Sequence, residues 1–243
     1  MAEILQRTIP YEVTFGAKLP GISPLARDGW VIRDDAFAAQ MAERDRLIRD
    51  IPQRVHADAG ASVSAKDDVL EQVMGIVSKR DGYNVGNSAV TRPDRVTVDL
   101  AGDPLLVAAR LIQEDLCLHE KLGDEHVLTA GVMCFPASWT LSEKIGRPLV
   151  AIHGPVDSYN GDVAKRVQRL FDGIQIGKPL WRHNALRYVE PDLFHPRSED
   201  APRDHSLDAE TGAYIRSEHQ ALVRMPRSGA VLFAIHTYIV KDV

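Results

Sequence analysis

The sequence predicts an α+β fold. Helical patterns dominate the first half, strands crowd the second, and the last two strands read as an antiparallel hairpin. A doubly wound parallel sheet would instead alternate strand and helix along the chain.

Taken in order, residues 10–35 are rich in proline and glycine and predict an irregular arm laid over the body. Residues 36–50 place Phe37, Met41, Leu47 and Ile48 on a rough helical stripe, and residues 52–64 read as a loop. Residues 66–80 form a clearer helix, with Val69, Leu70, Val73, Met74 and Val77 on one face and Asp81-Gly82 as its stop. Arg95 to Leu100 alternates as a short strand. Asp103-Pro104 opens another helix, because an Asp carboxylate accepts a free first-turn amide and proline is tolerated at the first helical position. Leu105, Ala109, Ile112 and Leu116 follow at i, i+4, i+7 and i+11, so this helix is expected to run through Leu116 and to carry Cys117 at its end.

His126 to Phe135 is a nearly continuous apolar run that predicts a buried strand containing Cys134. A short helix is expected from Ser138 to Ile145, stopping at Gly146, followed by a strand-like run from Arg147 towards His153. Gly161 to Phe171 has helical periodicity, residues 180–190 a strand pattern, and residues 191–213 the composition of an exposed loop. Strands at 214–224 and 230–240 are joined by the turn Pro226-Arg227-Ser228-Gly229.

The 243 residues, 44 % hydrophobic and 26 % charged, can bury a core without staples and are read as a single domain over 1–243. A net charge of −5 and a pI near 6.0 give no global sign of nucleic-acid binding. Two cysteines without a CxxC pair suggest a reducing compartment. Met1 to Pro10 has no long apolar run, so neither a signal peptide nor a membrane span is expected and the location predicted is cytoplasmic.

General catalytic motifs are missing. There is no G-x-G-x-x-G, H-E-x-x-H or G-x-S-x-G, and Gly173 to Pro179 imitates a P-loop with one spacer too few and no Ser/Thr for magnesium. Cys117, His119, Glu120 and His126 match no zinc spacing and read as solvated polar residues near a helix end.

What remains is a series of segments: Gln113-Glu114-Asp115-Leu116-Cys117, Cys134-Phe135-Pro136 to Trp139, Ile152-His153-Gly154-Pro155-Val156, Pro179-Leu180-Trp181-Arg182-His183-Asn184, Glu190-Pro191-Asp192-Leu193-Phe194, Arg216-Ser217-Glu218-His219-Gln220, and Leu222 to Gly229. In this order and spacing the chain resembles the haem-dependent oxidative N-demethylase-like family over about residues 10–240. The resemblance implies a PAS-like core, an antiparallel sheet with flanking helices, that holds haem b. It implies O2-dependent removal of a methyl group from a small amine substrate, with formaldehyde released and electrons drawn from NADPH through a separate reductase component. Charge and the absence of a long apolar run predict no nucleic-acid or membrane partner, and a homo-oligomer stays open. Two positions depart from the family's pattern: Gly154 stands where Ala is expected, and His219 where Arg is expected.

On their own terms the residues leave alternatives open. Haem iron is held by His, Cys, Met or Tyr. Among nine histidines, His153 follows an apolar run and precedes a Gly154-Pro155 bend that can aim a side chain into a cavity. It reads either as a buried histidine bonded to backbone or as the iron ligand, and the resemblance favours the ligand. His236 and His183 are the other ligand candidates. Glu190, at a strand end, and Arg216 are the expected pocket residues, one for a cationic amine and one to orient a carboxylate or bound oxygen. Arg216, Glu218 and Gln220 share one strand face, read most simply as solvent-exposed and otherwise as a polar wall or an oligomer contact. Trp139 and Trp181 are core aromatics or surfaces for a porphyrin. A haem-binding PAS-like sensor without turnover is the alternative function, disfavoured because no output domain follows residue 243.

Overall fold

The computed structural model describes residues 3–15, 21–152, 161–201 and 212–242, with side chains of 161–165 excepted. In chain order, β1 (Ser23–Pro24) precedes α1 (Phe37–Asp50), α2 (Pro52–Val55), β2 (His56–Asp58) and α3 (Val63–Val77). The short strands β3 (Asn84–Val85), β4 (Ala89–Thr91) and β5 (Thr97–Asp99) form their own sheet. Then come α4 (Pro104–Ala109), β6 (Asp115–Leu122), β7 (Glu125–Val132), α5 (Leu141–Lys144), α6 (Leu149–Ile152) and α7 (Gly161–Gly173). The last strands are β8 (Leu180–Tyr188), β9 (Tyr214–Arg224) and β10 (Val231–Lys241).

The main sheet has the order β1-β8-β9-β10-β6-β7-β2, and its described pairings are antiparallel. The α+β reading therefore holds. Period two sorts the two faces of the sheet. Leu116, Leu118, Ala221, Val223, Leu232 and Ala234 face one way, into the main hydrophobic core with Val69, Val73 and Val77 of α3 and Leu105 of α4. Cys117, Ile235, Leu222 and Val231 face the other way, in two smaller apolar clusters against α5, α6 and α7. Gly131 of β7 lets α5 come close: a Cβ there would meet Leu141 Cδ1 at 3.0 Å.

Several sequence expectations are corrected. The helix opened by Asp103 has its expected cap, with Oδ1 accepting from the amides of Leu105 and Leu106 at 3.0 Å, but it ends at Ala109 and Leu116 lies in β6. The carbonyls beyond Ala109 are taken by distant side chains: Arg92 Nη1 donates to Arg110 O at 2.7 Å, Tyr83 Oη to Leu111 O at 2.8 Å, and Arg44 Nη2 to Gln113 O at 2.5 Å. Cys117, His119 and Glu120 are thus strand residues, and His119 and His126 are buried rather than solvated. The loop expected at 52–64 contains α2 and β2 and the start of α3. The strand-like run before His153 is one helical turn, closed by Ile152 N donating to Pro148 O at 3.0 Å. The 214–224 and 230–240 strands stand within a residue of expectation, paired from Val231↔Arg224 to Lys241↔Tyr214. Among the described residues no helix is long and apolar enough to cross a membrane.

Candidate functional site

The face of the sheet away from the main core forms the floor of a cavity of about 540 Å³, a size that suits a small molecule or cofactor. Its apolar wall includes Leu128, Leu149, Ile152, Phe171, Phe233 and Ile235, contributed by β7, α6, α7 and β10. Trp139, before α5, also lines it, whereas Trp181 stacks on His219 with ring centroids 4.6 Å apart on the opposite face. A polar strip crosses the floor where β8 and β9 pair, Arg182 opposite Gln220 and Asn184 opposite Glu218.

This strip is hydrogen-bonded end to end. Arg182 Nη1 donates to Gln220 Oε1 at 2.7 Å, Gln220 Nε2 donates to Glu218 Oε2 at 2.9 Å, and Asn184 Nδ2 donates to the same oxygen at 2.9 Å. The Glu218 amide donates back to Asn184 Oδ1 at 3.1 Å, which fixes that side chain too. Glu218 is only 4 % exposed, so a buried carboxylate with both donors on Oε2 stands in a largely apolar chamber. Burial lowers the affinity of Arg182 for its proton, against a smaller opposing pull from Glu218, and its Nε finds no partner among the described residues. The expectation of a solvent-exposed Arg216/Glu218/Gln220 face is overturned: all three are buried, and Glu218 and Gln220 line the cavity.

The remaining candidates fall in different places. His153 lies outside the described residues, but its chain neighbour Ile152 lines the cavity. Arg216 is 2 % exposed at the end of the same strand face, beyond the lining residues; Nη1 donates to Asp192 O and Leu193 O at 3.1 Å and Nη2 to Phe135 O at 2.7 Å. Glu190 is exposed after the end of β8 and is not among the lining residues. The structure therefore does not bring Glu190 and Arg216 together on the cavity wall.

His236 and His183 sit on the opposite face of the sheet. His236 is fully buried, with Nδ1 3.0 Å from Glu114 Oε1 and Nε2 3.1 Å from Asp34 Oδ2. Burial alone would depress it, but the two carboxylates outweigh that and push its pKa up to about 9. Both ring nitrogens being engaged, it has none left for iron. His183 Nε2 accepts from Thr14 N at 3.3 Å, and its ring lies against Tyr11.

Sequence reasoning missed Arg182, Asn184, Cys117 and His119 as cavity residues. Cys117 is buried, which pushes its thiol pKa up and keeps it protonated. A period-two row of Arg182 and Asn184 opposite Gln220 and Glu218 is the signal that could have revealed the polar strip.

A family model described as haem-dependent oxidative N-demethylase, alpha subunit-like, matches residues 21–242. The chain belongs to this family. Haem asks of a protein an apolar slot, an iron donor and polar groups at its edge. The apolar walls, the imidazole of His119 in them, and the polar strip at one side meet those demands among the described residues of this family member.

Proposed function

We propose that this chain is the haem-binding subunit of an oxygenase that removes a methyl group from a small N-methylated amine. The observation that carries the reading is the buried carboxylate of Glu218 in an otherwise largely apolar cavity. An anion in that setting favours a cation that can accompany it out of water, and a protonated methylamine is such a cation. We assign the amine contact to Glu218 rather than Glu190, because Glu218 is the carboxylate on the floor of the chamber.

In this reading the sheet and its helices are a PAS-like core within one domain over residues 1–243, in the cytoplasm, and His153 would hold the iron of haem b. Haem, when bound, supplies the oxygen-activating chemistry. The protein's own residues do the rest. Glu218 Oε1 faces the ammonium while Oε2 is held by Asn184 and Gln220, so the carboxylate cannot swing away. Leu128, Phe171, Phe233 and Ile235 exclude water and pack the methyl groups. Arg216 is a positioning residue: it ties Phe135 to Asp192 and Leu193, and with them the two stretches that bring Trp139 and Arg197 to the wall. In the overall reaction one atom of O2 leaves as water and the other in formaldehyde. The two electrons come from NADPH through a separate reductase component.

The test is an absorption spectrum of protein expressed with ample haem, oxidised and reduced, followed by formaldehyde assay with dimethylamine and a chemical or reductase electron source. A Soret band at one haem per chain with amine-dependent formaldehyde is expected. No band after haem titration would overturn the haem reading, and a band that shifts with amine but yields no formaldehyde would leave a haem-binding module without turnover. His153→Ala is expected to strip haem or shift the Soret band; an unchanged spectrum would remove His153 as ligand.

A further inference from the structure

Among the described residues, most inward-facing arginines have a carboxylate or several carbonyls to answer their charge, although the Nε of Arg44 and of Arg216 finds no partner. Arg44 pairs with Asp115 at 2.8 Å, and Arg92 pairs with Asp45 and Asp94 at 2.8 and 2.7 Å. Arg216 donates to three backbone carbonyls, and Arg224 is likewise surrounded by the carbonyls of Phe171, Ile174 and Gly229. On the cavity wall Arg182 has one partner, the neutral amide oxygen of Gln220, and its buried Nε has none among the described residues; the buried Nε of Arg197, also on that wall, has none either. A guanidinium carries five N–H donors in a fixed fork, and holding it half-buried beside a single amide leaves donors unanswered.

The neighbours of Arg182 do not relieve that cost. Glu218, the carboxylate nearest along the strip, has its Oε2 committed to Asn184 and Gln220, with Gln220 standing between the two charges. The Gln220 amide is polarised accordingly, its oxygen towards the arginine and its nitrogen towards the glutamate. Across the cavity, Glu199 is tied to Lys144 and Arg147. The cavity wall thus presents at Arg182 a cation without a carboxylate in contact, two residue pairs along the β8–β9 ladder, on the same face, from the carboxylate of Glu218.

We propose that Arg182 is the carboxylate receptor of this cavity. The inference rests on the functional reading above for its choice of ligands, and two carboxylates qualify. One is a haem propionate. The other is the carboxylate of a zwitterionic N-methyl amino acid whose ammonium meets Glu218, so that the strip holds the substrate by both ends. Bidentate recognition of a carboxylate is the geometry a guanidinium fork is built for.

Two matched pairs test this in wild type, Arg182→Gln and Arg182→Lys: haem against haem dimethyl ester, by absorption titration, and N-methylglycine against its methyl ester, by calorimetry with and without haem. A charge-assisted hydrogen bond predicts that wild type prefers the free carboxylate about 10- to 100-fold in at least one pair. Arg182→Gln is expected to abolish that preference while leaving ester affinity unchanged, and Arg182→Lys to restore part of it. Loss in the haem pair identifies a propionate, and loss in the glycine pair a substrate carboxylate. Unaltered preferences in Arg182→Gln, or none in wild type for either pair, would overturn the proposal. Unchanged ester affinity shows the variant is folded. If wild type took up neither form of haem, the haem reading would fail, while the glycine pair would still decide the role of Arg182.

Discussion

At the scale of single residues, Glu218 makes the sharpest demand. Its carboxylate is buried at one floor position and held by two amide donors on one oxygen. Glu218→Gln keeps the shape and can reorganise the same hydrogen bonds, but it removes the charge that faces a cationic amine. Amine affinity is expected to fall about 10-fold or more, the loss of a charge-assisted contact of roughly 1.5–3 kcal/mol, with haem content unchanged. Equal dimethylamine titrations of the Soret band in variant and parent would remove Glu218 from the amine site. The sequence made this residue legible only in part. Period two placed Arg216, Glu218 and Gln220 on one face, but which face looks inward depends on α6 and α7 covering the far side of the sheet. Arg216 shows the complementary limit: its strand parity puts it on the cavity face, yet carbonyls from residues 135, 192 and 193 capture it, and no local pattern announces them.

At the scale of elements, the β9–β10 hairpin was the most legible part of the chain because its signals are local. Pro226 and Gly229 mark the turn, and Gly229 takes φ 70°, a conformation that side chains with a Cβ resist. What the pattern does not reveal is the anchor. Asp68 of α3, fully buried, accepts from the amides of Arg227 and Ser228 at 2.8 and 2.9 Å and from the Ser228 hydroxyl at 3.1 Å. A helix distant in sequence therefore holds the turn that sets the register of the strands under the cavity. Asp68→Ala would strand those donors and is expected to cost about 2–3 kcal/mol, lowering Tm by roughly 4–12 °C. Calorimetric unfolding would measure it, and a change below about 0.5 kcal/mol would show the anchor to be incidental. The shortened α4 obeys the same logic in reverse: its apolar spacing continues to Leu116, but Arg44, Tyr83 and Arg92 claim the carbonyls that another helical turn would need. Long-range hydrogen bonding overrides local periodicity there.

At the scale of the whole molecule, two buried histidines on the main-core face of the sheet set opposite limbs of the stability–pH curve. His236, held between Asp34 and Glu114, titrates at about 9, above the ordinary 6.5. A raised pKa contributes stability that is complete below about 6.5 and is lost as pH climbs through 9. Its cross-strand neighbour His219 is depressed to about 4, first by burial and then by the charge of His236. That contribution is complete above about 6.5 and is lost as pH falls through 4. Asp34, kept below its usual pKa by His236 and the amides of Gln113 and Gln6 despite burial, adds to the acid limb only. Stability should therefore peak near pH 6–7. The alkaline limb should drop by about 3 kcal/mol between pH 6.5 and 9.5, an order-of-magnitude figure from the size of the His236 shift. His236→Gln lowers stability throughout by leaving the carboxylates unpaired, but it should flatten that alkaline slope, because the group that loses its proton is gone. Urea unfolding of both proteins from pH 6.5 to 9.5 measures the two slopes. Parallel slopes would mean that the imidazolium is not what joins the N-terminal arm, through Asp34, to the last strand.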